Sequence, residues 1–169
     1  ARGDTAGAAE LAERYRSRVE QRRVPEELRI ANALDADRYV PFICCVAEAG
    51  DLAAEFDRPK NLFVMGNTGR VSVGSIASLA RLIRRQRIDV VHSHNMGGLI
   101  HAFFAAKLNG APVIHTNHGF APPDSENPAL NRLERWMSTR IHRYVCVSEA
   151  LKRSVISKWN LGEDRALVI

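Results

Sequence analysis

The sequence predicts an α/β, Rossmann-like fold, a mostly parallel sheet with helices on both faces, and three observations carry that prediction. Strand-like and helix-like stretches alternate along the chain, with connections too short for anything but right-handed parallel crossovers. Two stretches, Asp89-Val90-Val91-His92-Ser93-His94-Asn95 and Pro112-Val113-Ile114-His115-Thr116-Asn117-His118-Gly119, each run from apolar into polar residues. In an open α/β sheet that change of character marks the carboxyl edge, where loops open into a crevice and ligands bind. Finally, 169 residues that are 46% apolar and 25% charged suit one soluble globular domain with a sizeable core, or part of a larger protein.

Each element follows from local pattern. Residues 6–23 carry Leu11, Tyr15 and Val19 at i+4 spacing among Arg and Glu, a narrow apolar stripe on an exposed helix. Residues 1–24 therefore read as a helical extension and 25–169 as the Rossmann-like domain. Pro25 stands near the start of the next helix, with Glu26 and Glu27 favourable against its dipole and Leu28, Ala31 and Leu34 on its buried side. That helix should stop around Asp35 to Asp37. Tyr39 to Ala47 is short and nearly all apolar, a strand covered on both faces, with Pro41 near its beginning. Asp51 is placed to cap a short helix over Leu52 to Phe56, Asn61 to Met65 is a second strand, and Gly66-Asn67-Thr68-Gly69 is a loop.

Ser72 or Ser75 opens a helix with Ile76, Leu79, Ala80 and Ile83 on one face and arginines in its last turns. It leads into the first histidine strand. Leu99 to Leu108 is apolar almost all round, a helix wedged between sheet and neighbours, stopped by Asn109-Gly110. After the second histidine strand, Gly119 to Glu126, with Pro122-Pro123, reads as a surface loop at the crevice rim. Asn127 caps a helix with Pro128 at its first position and Leu130, Leu133, Met137 and Ile141 along one side. Arg143 to Val147 is a strand, and Ser148 caps a helix with Leu151, Val155 and Trp159 spaced by four. Gly162 should end that helix, and Arg165 to Ile169 opens a last strand.

Composition excludes several classes of function. No apolar run is long enough to cross a bilayer, and Ile100 to Ala106 is interrupted by His101. Arg2, Asp4, Glu10, Glu13 and Arg14 stand where a secretory signal needs apolar residues, and the three cysteines form no disulfide framework, so reduced thiols and a cytoplasmic location are expected. No Gly-x-Gly-x-x-Gly follows a strand and no Gly-x-x-x-x-Gly-Lys exists, which leaves NAD binding and a P-loop unsupported. The net charge of +5 gathers partly on helices, as in Arg81, Arg84, Arg85 and Arg87. A solvated helix face is the plain reading of that run, and peripheral contact with anionic lipid head groups, or contact with a phosphorylated substrate, is the functional one. Nucleic acid is not expected, because neither a binding motif nor interleaved aromatics accompany the charge.

The polar strand ends admit more than one reading. His92 and His94 are two apart on a strand and share a face, yet no Cys, Asp or Glu is placed to complete a metal site, and none is expected. His115 reads as a packing histidine, whereas His118 lies in a turn with Gly119 and reads as functional. Ser148 is fully explained as a helix cap, with a site role as the alternative. Gly97-Gly98 reads as a tight turn or an anion-accepting helix start.

The run from about Leu28 to Ile169 resembles the N-terminal, acceptor-side domain of glycosyltransferase family 4, retaining sugar transferases of the two-domain GT-B fold. Asp89-Val-Val-His-Ser-His-Asn, Val113-Ile-His-Thr-Asn-His-Gly and Val145-Cys-Val-Ser-Glu-Ala-Leu-Lys carry the resemblance through their order and spacing. It implies that His118 lies near the reacting sugar carbon and the donor, with Gly119 allowing close backbone approach. It places His94, with Asn95 and Asn117, on the acceptor side of the crevice, and Ser148 and Glu149 facing the interdomain cleft. The implied activity is transfer of a sugar, with retention, from a nucleotide-diphosphate-sugar donor to a lipid, saccharide or small-alcohol acceptor, with no cofactor and no metal.

The family's first strand and Gly-rich turn do not precede the helix at Pro25, so a gap in the sheet or re-paired strands is expected. The donor-binding domain, which in the family carries a Glu pair separated by seven residues, lies outside these residues. Half a cleft cannot hold donor and acceptor together, so activity from this chain alone is not expected. The competing class is a non-catalytic binding or structural module of the same fold.

Overall fold

In a computed structural model, residues 26–67, 71–119 and 127–169 are described. The expected helix over 6–23, the end of the Gly66–Gly69 loop and most of the Gly119–Glu126 loop fall outside them. The chain divides into two compact units between Val64 and Met65. Among the described residues no helix is long and apolar enough to cross a membrane.

The first unit is built on α1 (Glu26–Ala33), whose Leu28 and Ala31 bury against Phe56, with Ile43 and Leu62 packed around them. Asp35 turns the chain beyond the helix, its side chain accepting from the Asp37 amide at 3.0 Å and its carbonyl from the Tyr39 amide at 2.8 Å. Leu34 falls past the helix end and is half-buried. The strand expected over Tyr39 to Ala47 is confined to β1 (Ile43–Cys45), paired in parallel with β2 (Leu62–Val64) over three residues. A strand is only as long as its partner, and Tyr39 and Val40 stand in solvent instead of under a covering layer. Between them Asp51–Glu55 forms a 3₁₀ turn with Gly50 at its N-cap, so Asp51 opens the turn one place later than a capping residue would.

The second unit holds a four-stranded parallel sheet in the order β3 (Val91–His94), β4 (Val113–Asn117), β5 (Arg143–Cys146), β6 (Ala166–Val168). Ser72 opens α2 (Val73–Gln86) by accepting from the Ser75 amide at 3.1 Å, and Leu79 and Ile83 bury. The next helix, α3 (Asn95–Lys107), begins directly at the end of β3 and not at Leu99, with Asn95 in the left-handed region at φ 57°. Asn tolerates that conformation better than most residues. Gly97 and Gly98 therefore lie inside the first turns of the helix rather than in a tight turn of their own. Leu99, Ile100, Ala102, Phe103, Ala105 and Ala106 are all buried, as a helix apolar all round should be. Asn109 stops α3 and ties it to α2, donating to the carbonyls of Ala105 at 2.8 Å and Ala80 at 3.1 Å.

Asn127 caps α4 (Pro128–Ser138) through the Ala129 amide at 2.9 Å; Met137 and Ile141 bury, while Leu130 is exposed. In α5 (Glu149–Trp159), Leu151, Val155 and Trp159 bury as their spacing predicts. Asn160 ends that helix by taking φ 54°, ahead of the expected stop at Gly162. The fold class is the predicted one, α/β and Rossmann-like with parallel strands throughout. It is realised as two parallel sheets rather than one, because among the described residues β1 finds a partner only in β2.

Candidate functional site

The register of the larger sheet assembles the site. His94 stands opposite Thr116, and Asn117 opposite Cys146, so the ends of β3, β4 and β5 finish side by side. His94, then Asn95, leave β3; Asn117, His118 and Gly119 leave β4; Ser148 and Glu149 follow β5. The apolar hollow lined by Val73, Ile76, Phe104, Lys107 and Leu108 contains none of them.

Two of the expected residues come into direct contact. His94 Nδ1 and His118 Nε2 are hydrogen-bonded at 3.1 Å, with His94 half-buried and His118 exposed. His92 shares the face, as its spacing from His94 requires; their rings are 4.3 Å apart, and His92 Nε2 bonds Thr116 Oγ1 at 2.8 Å. Burial, together with His92 and His118, pushes His94 down to about 3, which makes it a neutral donor and acceptor at physiological pH.

Asn117 supports the turn at this edge. It is buried, donating through Nδ2 to Tyr144 Oη at 2.6 Å and accepting on Oδ1 from the Gly119 amide at 2.8 Å. Tyr144 in turn donates to Glu134 Oε1 at 3.2 Å. This chain of bonds runs from α4 through β5 to the His118-Gly119 turn. Burial raises the Glu134 carboxyl, offset in part by the Tyr144 bond, and it also raises the Tyr144 hydroxyl, so the tyrosine stays protonated and able to donate. Gly119 has φ 154°, which a side chain would strain. Sequence reasoning passed over Tyr144 and Glu134; the available signal was a tyrosine in a buried strand, whose hydroxyl needs a partner.

The remaining candidates divide. Ser148 accepts from the Leu151 amide at 3.2 Å and so is spent as the cap of α5. Glu149 and Asn95 are exposed at the same edge. His115 is wholly buried, as a packing histidine should be, with Nδ1 3.0 Å from Ser93 Oγ and its ring edge-on to Tyr144. His101 Nδ1 donates to the Gly97 carbonyl at 2.8 Å, one turn back along the helix. Cys146 is buried and Cys44 and Cys45 half-buried, all as free thiols; burial raises each of them, which leaves them poor nucleophiles.

A parallel α/β domain with a histidine-lined carboxyl edge is the kind of scaffold that binds polar small molecules at its strand ends. Residues 28–169 match the family described as Glycosyltransferase Family 4, and the chain belongs to that family. Over 64 residues it is 34% identical to the UDP-Gal:alpha-D-GlcNAc-diphosphoundecaprenol alpha-1,3-galactosyltransferase of Escherichia coli, covering 37% of this chain and 16% of that protein. Over 116 residues it is 28% identical to a phosphatidylinositol N-acetylglucosaminyltransferase component of Arabidopsis thaliana, covering 66% of this chain and 26% of that protein. A crystal structure of a glycosyltransferase from Rickettsia africae ESF-5 superposes with a TM-score of 0.68 at 20% identity, over 85% of this chain and 38% of that one, a likeness of fold. The chain thus spans well under two thirds of the length of these relatives.

Proposed function

We propose that this chain is the acceptor-side part of a retaining glycosyltransferase that moves a sugar from a nucleotide-diphosphate donor to an acceptor hydroxyl, lipid-linked in the first instance. The observation that carries this reading is the contact of His94 with His118 at the ends of adjacent strands, in a chain of this family. Both residues offer an imidazole ring to sugar hydroxyls. In the reading, His118 touches the reacting sugar, His94 the acceptor side, and Asn95, Glu149 and Gly119 line the rim. Asn117 holds the turn that carries His118. The lipid-linked choice follows the two named relatives, one acting on a diphosphoundecaprenol and the other on phosphatidylinositol. The transfer itself is proposed to need no metal or cofactor.

The exposed arginines of α2 and its end, Arg81, Arg84, Arg85 and Arg87, would bring the enzyme to an anionic membrane surface where such acceptors reside. The donor's leaving diphosphate would be held by chain beyond these residues, so the 169 residues alone should not turn over and should bind uridine or guanosine diphosphate sugars weakly or not at all. The deciding experiment is His118→Ala in the full-length protein, with sugar transfer to a lipid-linked acceptor as the readout. Loss of one hydrogen bond made to the reacting group should lower turnover about a hundredfold with the fold intact by circular dichroism. Turnover at the wild-type rate would remove His118 from the site and favour the binding-module alternative.

A further inference from the structure

We propose that His94 and His118 form a two-imidazole chelate for a divalent transition cation of the Zn²⁺, Ni²⁺ or Cu²⁺ class. His94 Nδ1 and His118 Nε2 are already aimed at one another across 3.1 Å. A tetrahedral cation with metal–nitrogen bonds of about 2.0–2.1 Å separates two imidazole nitrogens by roughly 3.3–3.4 Å. Seating the ion therefore asks the rings to part by only a few tenths of an ångström. The cation replaces the hydrogen shared between the rings, and that hydrogen moves to the far nitrogen of its own ring. Each imidazole stays neutral, each presents one lone pair to the metal, and no proton is released.

The surroundings hold both ligands in place. His94 is fixed in strand register opposite Thr116, and the His118 turn is fixed by the Asn117–Gly119 bond at 2.8 Å. The His92 ring lies 4.3 Å from that of His94 and is itself held by Thr116, so it limits rotation of the ligand ring without being a ligand. From spacing alone the natural pair is His92 with His94. The fold instead sets His118 against His94. Two imidazole donors suit Zn²⁺, Ni²⁺ or Cu²⁺ better than Mg²⁺ or Ca²⁺. The site stands whether or not the sugar-transfer reading holds, because it depends only on the two ring nitrogens.

The test is a Zn²⁺ titration of the full-length protein against a chromophoric competing chelator, with His94→Ala, His118→Ala and, as a control, the exposed His142→Ala. The expected result is the loss of one bound Zn²⁺ per chain in each of the first two variants and none in the third, with Mg²⁺ failing to compete. Reading the difference from wild type cancels any site elsewhere. A second measurement guards against misfolded variants: imidazole ¹⁵N spectra of the wild-type protein should show Zn²⁺ moving His94 Nδ1 and His118 Nε2. Unchanged stoichiometry in both variants, or Zn²⁺ shifts confined to other histidines, would overturn the site.

Discussion

His115 shows how one residue couples the sheet to pH. It is wholly buried in β4, and burial, with His94 next in effect, pushes its pKa down to about 3. Ser93 Oγ reaches the Ile114 carbonyl at 3.4 Å and His115 Nδ1 at 3.0 Å, while among the described residues His115 Nε2 has no hydrogen-bond partner. A bare lone pair there costs less than a bare N–H would, so the neutral tautomer with hydrogen on Nδ1 fits the pocket. The folded state refuses the proton that an unfolded histidine accepts near pH 6.5. Unfolded chains therefore bind more protons below that value, and stability falls as pH drops from about 6.5 toward 3. For His115 alone the loss between pH 7 and pH 5 should be about 2 kcal/mol. Urea unfolding at the two pH values measures it, and a His115→Leu variant, closer in volume and without a titrating group, should flatten the dependence. An equal slope in wild type and variant would show that the proton is taken up elsewhere. The family resemblance sets Asn117 in the crevice, and in the structure both ends of its amide are hydrogen-bonded, to Tyr144 and to the Gly119 amide.

At the scale of the element, capping decides how the crevice is framed. The helices α2, α4 and α5 each open on a side chain, Ser72, Asn127 and Ser148, that accepts from an amide otherwise left without an intrahelical partner. The loss of such a cap costs about 1 kcal/mol. Ser148→Ala should therefore lower the free energy of unfolding by about 1 kcal/mol, and Ser148→Asp should restore it. If Ser148 serves only as the cap, transfer activity of the full-length Ser148→Asp variant will match wild type. A deep loss of turnover with stability restored would place the hydroxyl itself in the reaction. By contrast α3 opens on His94, which contributes no side-chain cap, and its ring is turned to His118 instead. The element that begins most abruptly is thus the one whose first residues face the site.

On the scale of the whole molecule the two units differ in how much holds them. The sheet of the first unit has two strands paired over three residues, all half-buried or exposed. A two-stranded ladder is marginal by itself and depends on the small cluster of Leu28, Ala31 and Phe56. The second unit has four strands and a core that includes Leu99, Met137, Tyr144 and Val155, all with almost no solvent contact. Amide hydrogen exchange should therefore be much faster at Cys44 and Cys45 than at Ile114 to Asn117. Mass spectrometry of peptides from the two strands reads this directly. Equal protection would mean that β1 and β2 are supported by chain beyond the described residues.

The sequence by itself determined the α/β class, the order of the elements, the caps of α2, α4 and α5, the buried helix α3 and the fact that histidines stand at the carboxyl ends of neighbouring strands. Those features depend on residues within a turn or a strand of one another, such as Ser148 before Glu149 or the alternation of His92, Ser93 and His94. Only the tertiary structure decided that His94 meets His118, that Asn117 is buried under Tyr144, and that β1 is three residues long. Partners 24 and 27 residues apart are brought together by strand register and by the desolvation of polar groups. Neither is written in the local pattern, because each depends on which segment comes to lie alongside.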